Sequence, residues 1–96
     1  MKVKVEYLGY VRKIIGGARD EEIEIPDNAL VVDLLVLLSE KYGEPFRKTI
    51  YESEGLDVKA NFIVTVNGYL LNQLNGVETK IKNGDRIALM PIVSGG

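Results

Sequence analysis

The sequence predicts a mixed α+β fold in which a sheet of four to five strands packs on one long helix. Its first and last segments alternate apolar and polar residues, as half-buried strands do. A long apolar segment stands between them, and an Asn-Gly pair separates two apolar runs in the second half. Strands on both sides of a single crossover helix favour a mixed sheet that covers that helix.

Two strands are predicted in the first 26 residues. In "KVKVEYLG", Val3, Val5 and Tyr7 share one face, and in "EEIEIP" Ile23 and Ile25 point inward. The intervening "YVRKIIGG" predicts a short helical turn that a glycine pair ends.

The segment "LVVDLLVLLSEKYG" predicts the main helix, with Gly43 at its end. Its apolar residues occupy more than one stripe, so little of the helix should be exposed. We expect one buried side and two flanking residues: Val31, Leu34, Leu35, Leu38 and Tyr42, flanked by Val32 and Val36. The polar "EPFRKTIYESEGLDVK" predicts a short helix and a loop.

The second half predicts a hairpin, a short strand and a last strand. Asn67-Gly68 in "ANFIVTVNGYLL" is the preferred pair for a two-residue turn with positive φ at both positions. "VETKIK" predicts a short strand, and "NGD" predicts a turn before the last strand, "RIALMPIV". Alternation places Ile87 and Leu89 in the core and leaves three residues on the other face: Arg86, Ala88 and Met90.

Composition excludes several classes of function. The 96 residues include no cysteine and no histidine, which excludes disulfides, thiolate catalysis, cysteine metal sites and a Ser-His-Asp triad. The net charge is −2 and no Lys/Arg stripe is present, so no nucleic-acid partner is expected. No apolar run is long enough to span a bilayer and no signal peptide precedes the first strand, so we expect a cytoplasmic protein without membrane contact.

The glycine pair and the acidic run that follow the first strand predict no active site. Gly16-Gly17 lacks the Lys-Ser/Thr of a phosphate-binding loop, and acids follow it where phosphate would sit. The acidic residues of this region are best interpreted as a solvated charge run: Asp20, Glu21, Glu22 and Glu24. We predict no cofactor bound by this chain.

The last residues, "PIVSGG", predict a carboxylate on a narrow stalk. Pro91 lacks an N–H and tends to end a strand, which divides the chain into a domain of residues 1–91 and a flexible tail of residues 92–96. Five extended residues reach about 16 Å at roughly 3.3 Å each. Gly95 and Gly96 carry no Cβ, so they can pass a constriction and bring the carboxylate to another protein's active site. Activating that carboxylate requires an outside source of ATP.

At this point the chain resembles the ubiquitin-like sulfur carriers of the MoaD/ThiS superfamily, most closely the small subunit of molybdopterin synthase (MoaD). The most specific segment is "KIKNGDRIALMPIVSGG"; "VKVEYLGYVRKIIGG", "VVDLLVLLSEKYG" and "FIVTVNGYLL" resemble the opening strand, long helix and hairpin. Ile92 stands where the family usually has a second proline, and Met90 where it often has an aromatic residue.

The resemblance implies a β-grasp fold and a carrier cycle. An E1-like adenylyltransferase (MoeB-like) would use ATP to adenylate Gly96, and a sulfur donor would replace AMP to leave a thiocarboxylate. Ser94 and Gly95 would form the tail that enters the large catalytic subunit of molybdopterin synthase (MoaE-like). There the sulfur would pass to a cyclic pterin precursor. The chain would be a monomer when free and part of a heterotetramer with the large subunit, and would be no enzyme by itself.

A partner-binding surface is predicted around the last strand. It comprises apolar residues at or beyond the strand that are not assigned to the core: Ala88, Met90, Pro91, Ile92 and Val93.

Other carriers and modules remain as alternatives. The thiamine-pathway carriers usually lack a segment like "GEPFRKTIYESEGLDVK", which favours the molybdopterin role. A sulfur carrier for tRNA thiolation or a modifier joined to lysines would use the same tail chemistry. A β-grasp binding module with an incidental tail belongs to a different class.

Overall fold

The computed structural model of the protein describes residues 1–50 and 62–91. Five strands form one sheet in the order β2-β1-β5-β3-β4. The central strands β1 and β5 are parallel, whereas the β1–β2, β3–β4 and β3–β5 pairs are antiparallel. The strands are β1 Lys2–Tyr7, β2 Asp20–Glu24, β3 Phe62–Val66, β4 Tyr69–Leu70 and β5 Arg86–Pro91. With the helix described next, this is the predicted β-grasp fold.

In the described residues three helices accompany the sheet, and each lies in a segment for which the sequence predicts a helix or helical turn. They are α1 Val11–Ile14, α2 Val31–Tyr42 and α3 Glu44–Ile50. At the start of α2, the carboxylate of Asp33 accepts the N–H of Leu30 at 2.8 Å. The helix ends at Gly43, whose φ of 80° is a conformation that glycine adopts without strain.

The core lies between α2 and one face of the sheet. Leu34, Leu35 and Leu38 of the helix are fully buried, as are Ile87 and Leu89 of β5. These assignments of the two faces are confirmed. Val36, predicted to flank the buried side of the helix, is 37% exposed, so the apolar surface of α2 extends beyond its buried side.

The hairpin prediction is confirmed in detail. Asn67 and Gly68 have φ values of 53° and 88° between β3 and β4. The Asn67 side chain also joins this turn to the one before β5, since its Nδ2 donates to Asp85 Oδ1 at 2.9 Å and its Oδ1 accepts the Arg86 N–H at 2.9 Å. Two turns that are distant in sequence are thereby fixed to each other.

The predicted strand in "VETKIK" is wrong. A 3₁₀ helix at Gly76–Glu78, which follows another at Leu71–Gln73, covers the first two residues of the segment, and an isolated bridge joins Lys80 to Leu30. The Thr79 hydroxyl donates to the Gly76 carbonyl at 2.6 Å and accepts the Asn75 N–H at 3.0 Å. Local hydrogen bonds of this kind favour a turn over an extended ladder.

Candidate functional site

The candidate site is the end of β5, from which the predicted tail continues. This strand lies between β1 and β3, with Leu89 opposite both Tyr7 and Val64 and with Pro91 opposite Phe62. Pro91 is therefore still a strand residue. Pairing with β1 as far as Leu89 and with β3 as far as Pro91 fixes the position from which residue 92 departs. The predicted tail, with Ile92, Val93, Ser94, Gly95 and Gly96, lies outside the described residues.

The open face of the sheet, opposite the helix, carries the described part of the predicted partner surface. Ala88 and Met90 lie on this face and are partly exposed, while the core residues of β5 point the other way. In the register of β3 and β5, Ile63 lies opposite Met90 and Thr65 lies opposite Ala88. Ile63 widens the apolar surface, and alternation in "FIVTV" was the signal that could have indicated it.

A second set of residues surrounds the departure point and was not predicted. Leu8 donates its N–H to the Leu89 carbonyl at 3.0 Å, and Gly9 follows with φ of +64°. A Cβ built on Gly9 would lie 3.1 Å from Pro91 Cγ, so the loop approaches the proline as closely as glycine permits. Leu8 and Tyr10 are 41% and 46% exposed beside this contact. We call Leu8, Gly9, Tyr10 and Pro91 the tail collar.

The acidic run contains one residue that the sequence interpretation placed wrongly. Glu21 is a partly buried acceptor rather than part of a solvated run. Its Oε1 accepts the hydroxyls of Tyr7 and Tyr42, both at 2.6 Å, and its Oε2 accepts Lys41 Nζ at 3.1 Å. Because Tyr7 is on β1, Glu21 on β2 and the other two on α2, the cluster joins the helix to the sheet.

The titration of this cluster follows from its contacts. Partial burial disfavours the Glu21 carboxylate, but hydrogen bonds from Tyr42, Tyr7 and Lys41 outweigh that effect and lower its pKa. Burial, followed by the hydrogen bond to Glu21, raises the pKa of Tyr7 and of Tyr42. All three groups keep their neutral-pH charge states, so the cluster serves structure rather than proton transfer.

The remaining features of the described residues concern metal sites, membrane-spanning helices and surface depressions. They contain no group of three or more His, Cys, Asp or Glu side chains that could hold a metal. No helix among them is long and apolar enough to cross a membrane. On the open face, a shallow depression of about 570 Å³ lies between the two turns, and the ion pair of Arg86 Nε with Glu6 Oε1 at 3.0 Å lies along it.

Comparisons with known proteins agree with this geometry. The family model of the ThiS family matches residues 5–96. A protein of Archaeoglobus fulgidus that is provisionally named a sulfur carrier protein is 32% identical over 76 residues, which cover 78% of this chain and 84% of that protein. Small archaeal modifier protein 3 of Haloferax volcanii is 27% identical over 96 residues, the whole of both chains.

A solved structure is similar to this chain in both sequence and fold. It belongs to a Pyrococcus furiosus protein that is provisionally named subunit 1 of a molybdopterin converting factor. The two chains are 32% identical, superpose with a TM-score of 0.76, and share 97% of this chain and 99% of that one.

Proposed function

Because the chain belongs to the ThiS family of ubiquitin-like sulfur carriers, we propose that it is the small subunit of molybdopterin synthase. In this role Gly96 is adenylated and converted to a thiocarboxylate, which donates sulfur to a cyclic pterin precursor during synthesis of the molybdenum or tungsten cofactor. The support is the Pyrococcus furiosus protein, similar over nearly the full length of both chains, whose name refers to molybdopterin conversion.

One structural observation carries the proposal: β5 pairs with β1 up to Leu89 and with β3 up to Pro91, and it leads directly into the residues "IVSGG". A tail that starts from a fixed point can place its carboxylate only within the reach that its length allows. Catalysis in the partner benefits from such positioning, since a displacement of about 1 Å can cost on the order of 100-fold in rate.

The chemistry belongs to the partners at each step. The Gly96 carboxylate attacks the α-phosphate of ATP bound by an E1-like adenylyltransferase (MoeB-like), and pyrophosphate leaves. A sulfur donor then forms a C–S bond at the acyl carbon as the bond to AMP breaks. The thiocarboxylate enters a MoaE-like large subunit, where its sulfur is transferred to the pterin precursor. The C–S bond at the acyl carbon breaks, and water supplies the oxygen that restores the Gly96 carboxylate.

The partner surface in this proposal comprises Ala88, Met90, Pro91, Ile92 and Val93, now extended by Ile63. Met90 and Ile63 are neighbours across the β3–β5 ladder, so they present one continuous apolar contact. A partner that covers this contact also sits at the departure point of the tail.

The role is tested by reconstitution with the cognate large subunit and the pterin precursor. Chemically prepared thiocarboxylate protein should convert the precursor to a dithiolene product and should return to the carboxylate form by intact mass. The unmodified carboxylate protein is the matched control and should give no product. Retention of sulfur on the carrier in the presence of both components would contradict the molybdopterin role.

A second candidate is a protein modifier whose C-terminus is joined to lysines. It is favoured by the match to small archaeal modifier protein 3, which covers the whole of both chains. Affinity-purified protein from the native cell should then carry Gly96 in isopeptide bonds to lysine side chains. Lysine-branched peptides that carry the tryptic remnant of residues 87–96, "IALMPIVSGG", would support this candidate.

A further inference from the structure

Helix α1 contains a charged donor that lacks an acceptor. The Nε of Arg12 is buried, and within residues 1–50 and 62–91 it has no hydrogen-bond partner. Buried polar groups are nearly always paired, and an unpaired group that belongs to a cation is especially unfavourable. Among these residues, the guanidinium of Arg12 therefore has an unused hydrogen-bond donor.

Arg12 lines a small basic pocket. The pocket measures about 300 Å³ and is formed by Gly9, Arg12, Lys13 and Gly17. Lys13 is exposed, and among the described residues neither cation takes part in an ion pair. Because Arg12 and Lys13 place two positive charges at the pocket, the pocket favours binding of an anionic group.

The backbone of the pocket indicates which anion fits. The N–H groups of Gly16 and Gly17 already donate to the carbonyls of Lys13 and Arg12, at 3.4 and 2.6 Å. They are therefore not free to surround a phosphate, as the amides of a phosphate-binding loop do. What remains is the edge of a guanidinium, whose planar geometry matches the two oxygens of a carboxylate, and a lysine ammonium beside it.

The pocket also lies next to the tail collar. Gly9 contributes both to the pocket wall and to the close contact with Pro91. Leu8 and Tyr10, the chain neighbours of Gly9, are exposed, and tyrosine and arginine are among the residue types enriched where interfaces gain most of their binding energy. A protein that binds the collar would therefore place its own side chains over Arg12.

We propose that this pocket receives an Asp or Glu carboxylate of the enzyme that adenylates the C-terminus. The inference rests on the proposed activation of Gly96 and adds a contact by which the activating enzyme recognises the carrier. A carboxylate paired with Arg12 would fix the orientation of the carrier while its tail enters the active site of the activating enzyme.

The pocket itself is tested without any partner, by acetate titration of the full chain followed by ¹⁵N NMR. The Arg12 Nε–Hε signal and the Gly17 amide should shift with a saturable dependence on acetate. Chloride at equal ionic strength should not reproduce the shift, and the Arg12→Lys variant should lose it. A non-saturable shift equal to that of chloride would overturn the pocket, and a stronger saturable response to inorganic phosphate than to acetate would overturn the carboxylate assignment.

The partner is tested by steady-state adenylation, measured as pyrophosphate release with the cognate activating enzyme. Arg12→Lys and Lys13→Gln should raise the KM for the carrier, about tenfold for Arg12→Lys, with kcat nearly unchanged. The matched control is Arg47→Lys, on the exposed face of α3, which should leave both constants unchanged. Equal KM values for wild type and both pocket variants, each shown to be folded by thermal unfolding, would overturn the inference. Absence of adenylation of the wild type would instead refute the proposed function and leave the acetate result standing.

Discussion

Replacement of Glu21 by alanine should destabilise the protein through the tyrosine that it leaves unpaired. Tyr7 is only 2% exposed, so without Glu21 its hydroxyl loses a 2.6 Å hydrogen bond and has little access to water. An unsatisfied buried hydroxyl costs about 1–3 kcal/mol. Lys41 adds less than about 1 kcal/mol, because its side chain is 48% exposed and surface ion pairs contribute little. We expect a total loss of about 2–3 kcal/mol in the free energy of unfolding.

A double-mutant cycle separates this mechanism from a general effect of the substitution. Removing both partners of a buried hydrogen bond is less costly than removing one, so Glu21→Ala should cost less when Tyr7→Phe is already present. The assay is urea titration of the wild type, both single variants and the double variant, with Glu22→Ala on the exposed side of β2 as the control. Purely additive effects, or a loss for Glu21→Ala no larger than that of Glu22→Ala, would refute the reasoning.

Three further predictions concern the cluster, the core and the open face. Because the pKa of Glu21 is lowered, its carboxylate stabilises the fold at pH values above the ordinary pKa of 4.5, and this stabilisation is lost as the pH falls through the lowered pKa. The urea midpoint of the wild type should therefore decline in that pH range more than the midpoint of Glu21→Gln. Leu38→Ala should cost about 2–5 kcal/mol of unfolding free energy, because Leu38 is fully buried; a loss below about 0.5 kcal/mol would contradict its core position. Met90→Asp should leave the thermal midpoint nearly unchanged and weaken binding to the large synthase subunit in calorimetry, with Glu22→Ala as control; unfolding of this variant would show that Met90 is a core residue.

Much of the fold could be predicted because local signals coincide with tertiary contacts. Alternation in the first and last strands identifies the faces that pack on α2, and Asn67-Gly68 has few alternatives to a hairpin turn. The strand predicted in "VETKIK" failed because alternation carries no information about the Thr79 hydroxyl, whose two local bonds stabilise a turn instead.

The error at Glu21 has a different cause. Glu21 is two residues before Ile23, so alternation along β2 already indicated that both side chains point inward. The β1–β2 register agrees, because Glu21 lies opposite the buried Val5. The acidic composition of the segment outweighed this signal in the interpretation. Its partners on α2 could not be identified, because the packing of helix on sheet is not encoded in either segment alone.

The candidate site likewise has features that the sequence predicts and features that only the structure shows. The tail residues and the exposed face of β5 follow from sequence, since both depend on chain order and alternation. The contact of Gly9 with Pro91 and the opposition of Ile63 to Met90 depend on the register between strands, which no single segment specifies.

The most direct measurement of the central claim is the intact mass of two forms, full-length protein and protein lacking Gly96, after incubation with a cognate E1-like enzyme, ATP and a sulfur donor. Removing Gly96 withdraws the carboxylate by about 3.3 Å, which exceeds the displacement that catalysis tolerates. Both forms should fold, since the deleted residue lies beyond the strand that anchors the domain. The full-length protein should gain the mass difference between one sulfur and one oxygen, located on its C-terminal peptide, and the truncated protein should gain nothing. Equal sulfur loading of both forms, or loading at any residue other than Gly96, would contradict the account.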